Sequence, residues 1–578
     1  MKINTLKIAL ASGLSALSLA AAAQNLDPTV VVNRAYEGKL LEVNKPVLEM
    51  AVPDTVQQFD LEFDYSVFEN PYKGSYDFKP YQLIMKPASS VRDFNTFWLK
   101  AGAGYSLYPE LGLVWTPAFD GRFKMNVYGD YNAYIGEYRL FRPNAEGVLK
   151  RWENTNRTAS FWNGYRMKTR AGVDGRVDLK KAVVSFDMAY YGVASKDTLK
   201  NRAYDSFDMK VNVASRASGS DYFMYDVTAA YRFGEDKLRY EHSDGYVGEN
   251  VFRFGATLGQ VFAKSHKVLF DVGFDMMAYS GAMKTTVSEI VFAPHYVFGR
   301  DRWNLDLGLR LAKVIRPEDN GFYSTRDQII YPDINVRYAL IPDAMSVYGK
   351  IGGGNQIHTY SSLLDCNAFV DPSFAGADPL LNLSVERISF AVGLDGRISR
   401  RFTYDVHAGF SNMNNGLLAG VAYAGADGLE ALPGLPAHSY VPVIGYATYN
   451  KLYAGLDWIW HTDDISFNGA VEYAHYTGIE DQCLFTPAPF TGDVAFEYNW
   501  NRRLFLGLDC RFATARKAEE FSLTLPGYAD LGLYAEYATS RRFSVWLRGG
   551  NLLNATVQHI PLYAEKGINF TAGICLKL

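Results

Sequence analysis

The sequence predicts an all-β fold, a transmembrane antiparallel up-and-down β-barrel of about 22 strands behind a short N-terminal periplasmic segment. Three observations carry that expectation: an export signal at the N-terminus, strand after strand of strict period-2 alternation, and short polar turns recurring after every second strand.

The export signal comes first. Lys2 and Lys7 form a positive start, Ile8 to Leu19 an apolar run, and Ala21-Ala22-Ala23 a small-residue cleavage site before Gln24. Residues 1–23 are therefore read as a signal peptide, 24–94 as a periplasmic extension, and 95–578 as the barrel. Beyond the signal no stretch approaches the ~18 apolar residues of a spanning helix. Barrel strands dilute that signal, because their apolar residues stand at alternate positions. The 40 Tyr and 36 Phe suit aromatic girdles at two membrane interfaces. A formal net charge of −4 with no long basic block argues against nucleic acid as a partner.

The alternation is clearest in Trp303 to Leu311. Trp303, Leu305, Leu307, Leu309 and Leu311 share one face; Asn304, Asp306, Gly308 and Arg310 share the other. Val268, Phe270, Val272, Phe274 and Met276 oppose Leu269, Asp271, Gly273 and Asp275 in the same way, and Ile388, Phe390, Val392 and Leu394 oppose Ser389, Ala391, Gly393 and Asp395. Short polar turns fall near Phe119-Asp120-Gly121, Asp178–Lys181, Ser218–Asp221, Lys264–Lys267, Gly299–Arg302, Pro342-Asp343, Ser399–Arg401, His461–Asp464, Asn499–Arg502 and Ser540–Arg542. Between them lie two strands and a connection that is usually longer, the pattern of tight periplasmic turns and long external loops. Ten turns with one strand at each end give the strand count, and about 22 residues per strand and connection accommodate a 9–11-residue span. Lipid supplies no hydrogen bonds, so the last strand must pair with the first. Ile568, Phe570, Ala572, Ile574, Leu576 and Leu578 form the apolar face of that last strand.

Asp530-Leu-Gly-Leu-Tyr-Ala-Glu-Tyr537, Arg542-Phe-Ser-Val-Trp-Leu-Arg548, Asn551-Leu-Leu-Asn554 and Gly567-Ile-Asn-Phe570 together resemble the C-terminal strands of TonB-dependent receptors. Leu99 to Tyr108 resembles the first strand of a receptor-like subgroup that lacks a recognisable plug domain. The resemblance also implies 22 strands. It departs from the family at Leu578, where members commonly end in an aromatic, and in residues 24–94, too short and too rich in proline (Pro28, Pro46, Pro53, Pro71, Pro80, Pro87) for a full plug. Within that segment Asp27-Pro-Thr-Val-Val-Val-Asn33 resembles a TonB box. Thr29, Val30, Val31 and Val32 are its candidate partner-binding residues, β-branched and suited to pairing as an added strand.

No catalytic chemistry, cofactor site or metal site is expected. The nine histidines show no i, i+4 metal spacing, and no Cys-x-x-Cys is present. His358 near Ser361 and Ser362 reads as part of a solvated outer loop. Gly352-Gly353-Gly354-Asn355 leaves a strand rather than opening a helix, so it reads as a bend or bulge at the outer rim. Strand parity sets Cys510 on the lipid face and Cys575 on the lumen face; Cys366 and Cys483 fall in outer loops, with a disulfide between them left open.

These readings place the chain in the Gram-negative outer membrane, in contact with lipid. The leading expectation is the membrane-embedded part of a transport or assembly complex. A protein partner, the N-terminal segment or an inward-folded stretch such as 413–445 then occludes its lumen, with TonB as a candidate second partner. The alternatives are a porin- or receptor-type channel for nutrient uptake and a structural or adhesive surface barrel.

Overall fold

The computed structural model describes residues 96–578 apart from short stretches within connections, the longest being 424–439, 318–328 and 370–380. The signal peptide, the 24–94 extension, the candidate box Thr29–Val32 and Cys483 lie outside the described residues.

Twenty-two strands form one closed sheet. They are β1 (Phe97–Tyr105), β2 (Glu110–Trp115), β3 (Phe123–Arg139), β4 (Phe161–Asp178), β5 (Ala182–Lys196), β6 (Asn201–Ser215), β7 (Tyr222–Asp236) and β8 (Val247–Phe262). Then come β9 (His266–Gly281), β10 (Thr285–Arg300), β11 (Trp303–Ile315), β12 (Ile330–Ile341), β13 (Met345–Ile357), β14 (Leu383–Ile398) and β15 (Phe402–Tyr423). The circuit ends with β16 (Tyr440–His461), β17 (Ile465–Thr477), β18 (Phe490–Trp500), β19 (Leu504–Ala513), β20 (Tyr528–Ala538), β21 (Phe543–Gly550) and β22 (Asn569–Lys577). One helix, α1 (Tyr360–Cys366), sits in the β13–β14 connection.

Each strand pairs antiparallel with its sequence neighbours, and β1 closes on β22 in a register running from Trp98↔Lys577 to Tyr105↔Phe570. Reciprocal backbone bonds from Phe97 to Leu578 (2.9 Å) and back (2.8 Å) finish the seam. All ten expected turns are present at one end of the barrel. Six of them hold residues in the left-handed region that tight hairpins need, at Gly121, Lys264, Asp301, Asp343, Ser399 and Asn501. The Asn-Leu-Leu-Asn motif has the same cause: Asn551 (φ 47°) and Asn554 (φ 52°) are both left-handed where the chain leaves β21, and the Asn551 side chain brackets Ala555 through two 2.8 Å bonds.

Parity follows the sequence. On β11, Trp303 (48 % exposed), Leu307 and Leu309 face outward, and Arg310 (9 %) faces the lumen. The expected glycine irregularity is a bulge: the β13–β14 register shifts between Gly352 and Gly354, and β14 shifts again against β15 between Glu386 and Ile388.

The closing seam is built around Trp546, which is nearly fully buried on the lumen side. It lies over the cross-strand pair Gly102↔Gly573; a Cβ at either position would come within 2.2–2.5 Å of the indole. Lys100 sits 4.4 Å above the same ring and pairs with Glu110 at 2.7 Å.

Of the stretch 413–445, residues 424–439 lie outside the described residues, and the flanking parts are strand. Its described residues extend β15 and β16 as one hairpin whose register runs out to Tyr423↔Tyr440, past a bulge at Met413/Gly416. Backbone pairing along both 22-residue strands holds these ends in the wall. Among the described residues, an element that does turn inward is the β13–β14 connection.

Candidate functional site

The β13–β14 connection leaves the loop end of the barrel and enters the lumen. Thr359 caps α1: its side chain accepts from Ser362 N, and the Ser362 hydroxyl accepts from Thr359 N. Three α1 side chains, Tyr360, Leu363 and Leu364, are essentially fully buried. They pack against inward-facing residues at the loop ends of the strands opposite: Tyr191 on β5, Tyr204 on β6, Val247 on β8, Met277 on β9 and Val287 on β10. Farther along, Phe369 stacks on Tyr563 (4.3 Å) and meets the edge of Tyr138 on β3 (5.6 Å). β3 stands ten places from β13 in a ring of 22, close to diametrically opposite. A segment that starts on β13, touches β5 to β10 and reaches β3 crosses the lumen as a chord.

Beneath the apolar contacts lies a seat of paired charges. Glu249 on β8, fully buried, accepts from the Tyr204 hydroxyl (2.5 Å), the Tyr279 hydroxyl (3.2 Å) and the backbone N–H of Ser361 in the first turn of α1 (3.3 Å). Asp236 on β7, also fully buried, accepts from the Tyr360 hydroxyl and pairs with Arg202 on β6 (3.5 Å). Arg232 grips Asp208 with two 2.7 Å bonds and donates a third, also 2.7 Å, to the Ser361 hydroxyl. At the other end of α1, Asp365 accepts from Tyr191 (2.5 Å) and Lys168 (2.6 Å). Ser195 on β5 donates to Ala368 O (2.6 Å). Buried ions persist only where such partners satisfy them.

The solvated-loop expectation for His358 and Ser361 is therefore corrected. Both are buried: Ser361 lies on the seat, and His358 packs between Ser384 on β14 and the Tyr446 ring on β16. His358 bonds Ser384 through Nε2 (2.7 Å), and burial pushes its imidazole down to about 4, so it is neutral at pH 7.

A second set of loops covers the other side. Phe141 and Leu149, Val421, Phe485, Leu523 and Leu525, and Leu562 come from five different connections or strand ends and share one apolar cluster. Tyr563 packs against both this cluster and the one holding Phe369, so the chord and the roof are continuous. Deeper in the lumen the wall is polar. His295 bridges Asp271 (3.3 Å) and Asp306 (2.9 Å), and His407 stands beside Asp405 (3.5 Å) and Asp457 (3.9 Å). Among the described residues, no group of three or more His, Cys, Asp or Glu is arranged to hold a metal ion.

The sequence matches no family model and no curated protein. Solved structures do match. The FrpB iron transporter from Neisseria meningitidis, F5-1 variant, superposes with a TM-score of 0.60 at 10 % identity, covering 84 % of this chain and 81 % of that one. The fold is that of a TonB-dependent receptor barrel. The siderophore receptor PirA from Acinetobacter baumannii and the copper transporter OprC each give a TM-score of 0.58 at 10 % identity, over 83 % of this chain and 80 % of theirs. A receptor-type barrel of this kind is an outer-membrane protein.

None of the seat residues stood out in the sequence. Glu249, Asp236 and Arg232 occupy inward positions near strand ends, where any wet lumen places polar residues. The available signal was Thr359-x-x-Ser362 ahead of Leu363-Leu364, a helix start followed by an apolar pair inside a loop.

Proposed function

We propose that this chain is an outer-membrane import barrel of the receptor type whose outer mouth is closed by its own β13–β14 connection, which must leave its seat to admit a solute. The observation that carries this reading is the chord: α1 and Phe369 join wall residues on strands nearly opposite one another. The structural neighbours are transporters and receptors by name, which supports transport over adhesion. On this reading the chain is not an enzyme, and the occluder that a barrel this wide needs comes at least partly from the chain itself. Coupling to TonB is assigned to Thr29, Val30, Val31 and Val32, on the resemblance of that stretch to the family's box. A protein partner at the outer face then serves as a cap over the loop roof.

The test is conductance in planar bilayers. Full-length protein should be nearly silent, and a variant with residues 360–381 replaced by a short Gly-Ser linker should form large, stable pores. A linker variant that is folded, as judged by heat-modifiable gel migration, yet as silent as the parent would overturn the reading.

A further inference from the structure

Three polar side chains on β11 and β12, Arg310, Asp333 and Asn335, make no direct hydrogen bond or ion pair among the described residues, although Arg310 lies within electrostatic reach of Asp333 and Asp271. Arg310 is nine-tenths buried, its Nε is shielded from solvent, and it makes no hydrogen bond among the described residues. Asp333 feels the Arg310 charge at a distance but forms no direct hydrogen bond or ion pair, and Asn335 has a buried Oδ1 that nothing donates to. A guanidinium stays ionised at any physiological pH, and burying it without a partner is costly.

The placement is informative. Arg310 pairs across the ladder with Tyr331, and Asp333 stands two residues along the same strand. That diagonal separates the Cβ atoms by about 7–8 Å, well within the reach of an arginine. The guanidinium reaches across Tyr331 to the β13 bulge, where a Cβ at Gly354 would lie 3.2 Å from its Nη1, and makes no ion pair with Asp333 while remaining within its electrostatic reach. At Gly353 a Cβ would come 2.8 Å from Glu386 O and 2.9 Å from Tyr331, so that position has no room for a side chain. The bulge glycines thus keep the wall bare beside the cation. The neighbouring carboxylates Asp271 and Asp306 are already taken by His295. One cation, one anion and one amide oxygen therefore remain, held apart on one patch of lumen wall.

We propose that Arg310, Asp333 and Asn335 bind a small zwitterion, its carboxylate on Arg310 and its ammonium between Asp333 and the Asn335 oxygen. A simple anion at Arg310 faces the carboxylates of Asp333 and Asp271, and a simple cation at Asp333 faces the guanidinium. Only a ligand with both signs satisfies both ends. The inference names a cargo class and rests on the import reading for its purpose. Its test reads binding alone, so its failure leaves the conductance test standing, and the reverse.

The probe is glycylglycine, titrated calorimetrically into the full chain in detergent, with acetate and methylammonium as one-ended controls. We expect saturable binding of glycylglycine, at least tenfold weaker binding of either control, and at least a tenfold loss in Arg310→Gln and in Asp333→Asn. Both variants are first shown to be folded by heat-modifiable migration. The proposal is overturned by an absence of saturable glycylglycine binding, by undiminished binding in either folded variant, or by acetate binding as tightly as glycylglycine.

Discussion

Leu363→Ala separates the docking of the chord from the integrity of the barrel. Leu363 is fully buried, yet it belongs to the loop rather than to the wall, so its truncation removes packing that exists only when α1 is seated. A buried Leu→Ala change costs about 2–5 kcal/mol, which shifts a docked–undocked equilibrium roughly 30- to 4,000-fold. The matched control is Asp365→Asn at the end of the same helix. Its ion pair with Lys168 is nearly half exposed and contributes less than about 1 kcal/mol. In planar bilayers Leu363→Ala should open frequently and Asp365→Asn only slightly more than wild type. Limited proteolysis within 358–382 should accelerate in the same order. Two results refute the reasoning separately. Unchanged proteolysis in Leu363→Ala shows that the apolar contacts do not hold the loop. Fast proteolysis with no gain in conductance shows that the loop, though released, is not what closes the lumen.

Docking should also respond to acid. The seated loop holds His358 neutral down to about pH 4, whereas the released loop takes up a proton near the ordinary value of 6.5. Docking is therefore at full strength above pH 6.5 and weakens as pH falls through the window from 6.5 to 4, by about 3 kcal/mol at its lower end. Loop proteolysis followed from pH 7.5 to 4.5 should rise over that window, and His358→Gln should flatten the rise. At the seam, Gly573→Val drives a side chain into Ala101 O and Trp546, and should prevent closure, leaving only the slow-migrating band on unboiled gels. Trp546→Ala should still close, but lose about 3–5 kcal/mol and unfold at lower temperature on a heat-modifiability series. At the N-terminus, Val31→Pro removes a backbone donor from the proposed added strand and should abolish capture by the purified C-terminal domain of TonB, while Lys39→Ala, outside the proposed box, leaves capture intact.

The wall was legible because a membrane barrel imposes two solvents on alternating side chains. Trp303, Leu307 and Leu309 could face only lipid, and Asp306 and Arg310 only the lumen, so strand count, turns and parity all followed. The Gly352–Gly354 bulge was legible for a related reason, since glycines at a strand end relax the ladder. The chord was not legible. Glu249 and Tyr204 look like any other lumen residues until α1 is set on them, and α1 reaches them from more than a hundred residues away in sequence. Alternation reports which face a residue is on, and it carries no information about what that face later meets. The same limit applies to 413–423 and 440–445, the ends of a stretch whose length suggested an inward loop and which local pairing commits to strands.

The composition of the seat bears on whether the chord can move. A wholly aliphatic seat would dock α1 for good, since each large apolar side chain buried contributes about 1.5–3 kcal/mol and exposing the wall would add its own cost. Here only Tyr360, Leu363 and Leu364 supply large apolar burial from the helix itself. The footprint they meet combines apolar wall residues such as Val247, Met277 and Val287 with Glu249, Asp236, Arg202, Arg232, Asp208 and their hydroxyl partners. Buried ion pairs contribute little net stability, because desolvation offsets their attraction. When α1 leaves, these groups keep each other: Arg232 retains Asp208, Arg202 retains Asp236, and Tyr204 and Tyr279 still donate to Glu249, now with water replacing the Ser361 N–H. The polar seat thus fixes where the helix docks while adding little to how tightly it docks. The closed arrangement then rests chiefly on the apolar contacts of α1, and these are what a bound solute or a pull from the periplasm must outweigh.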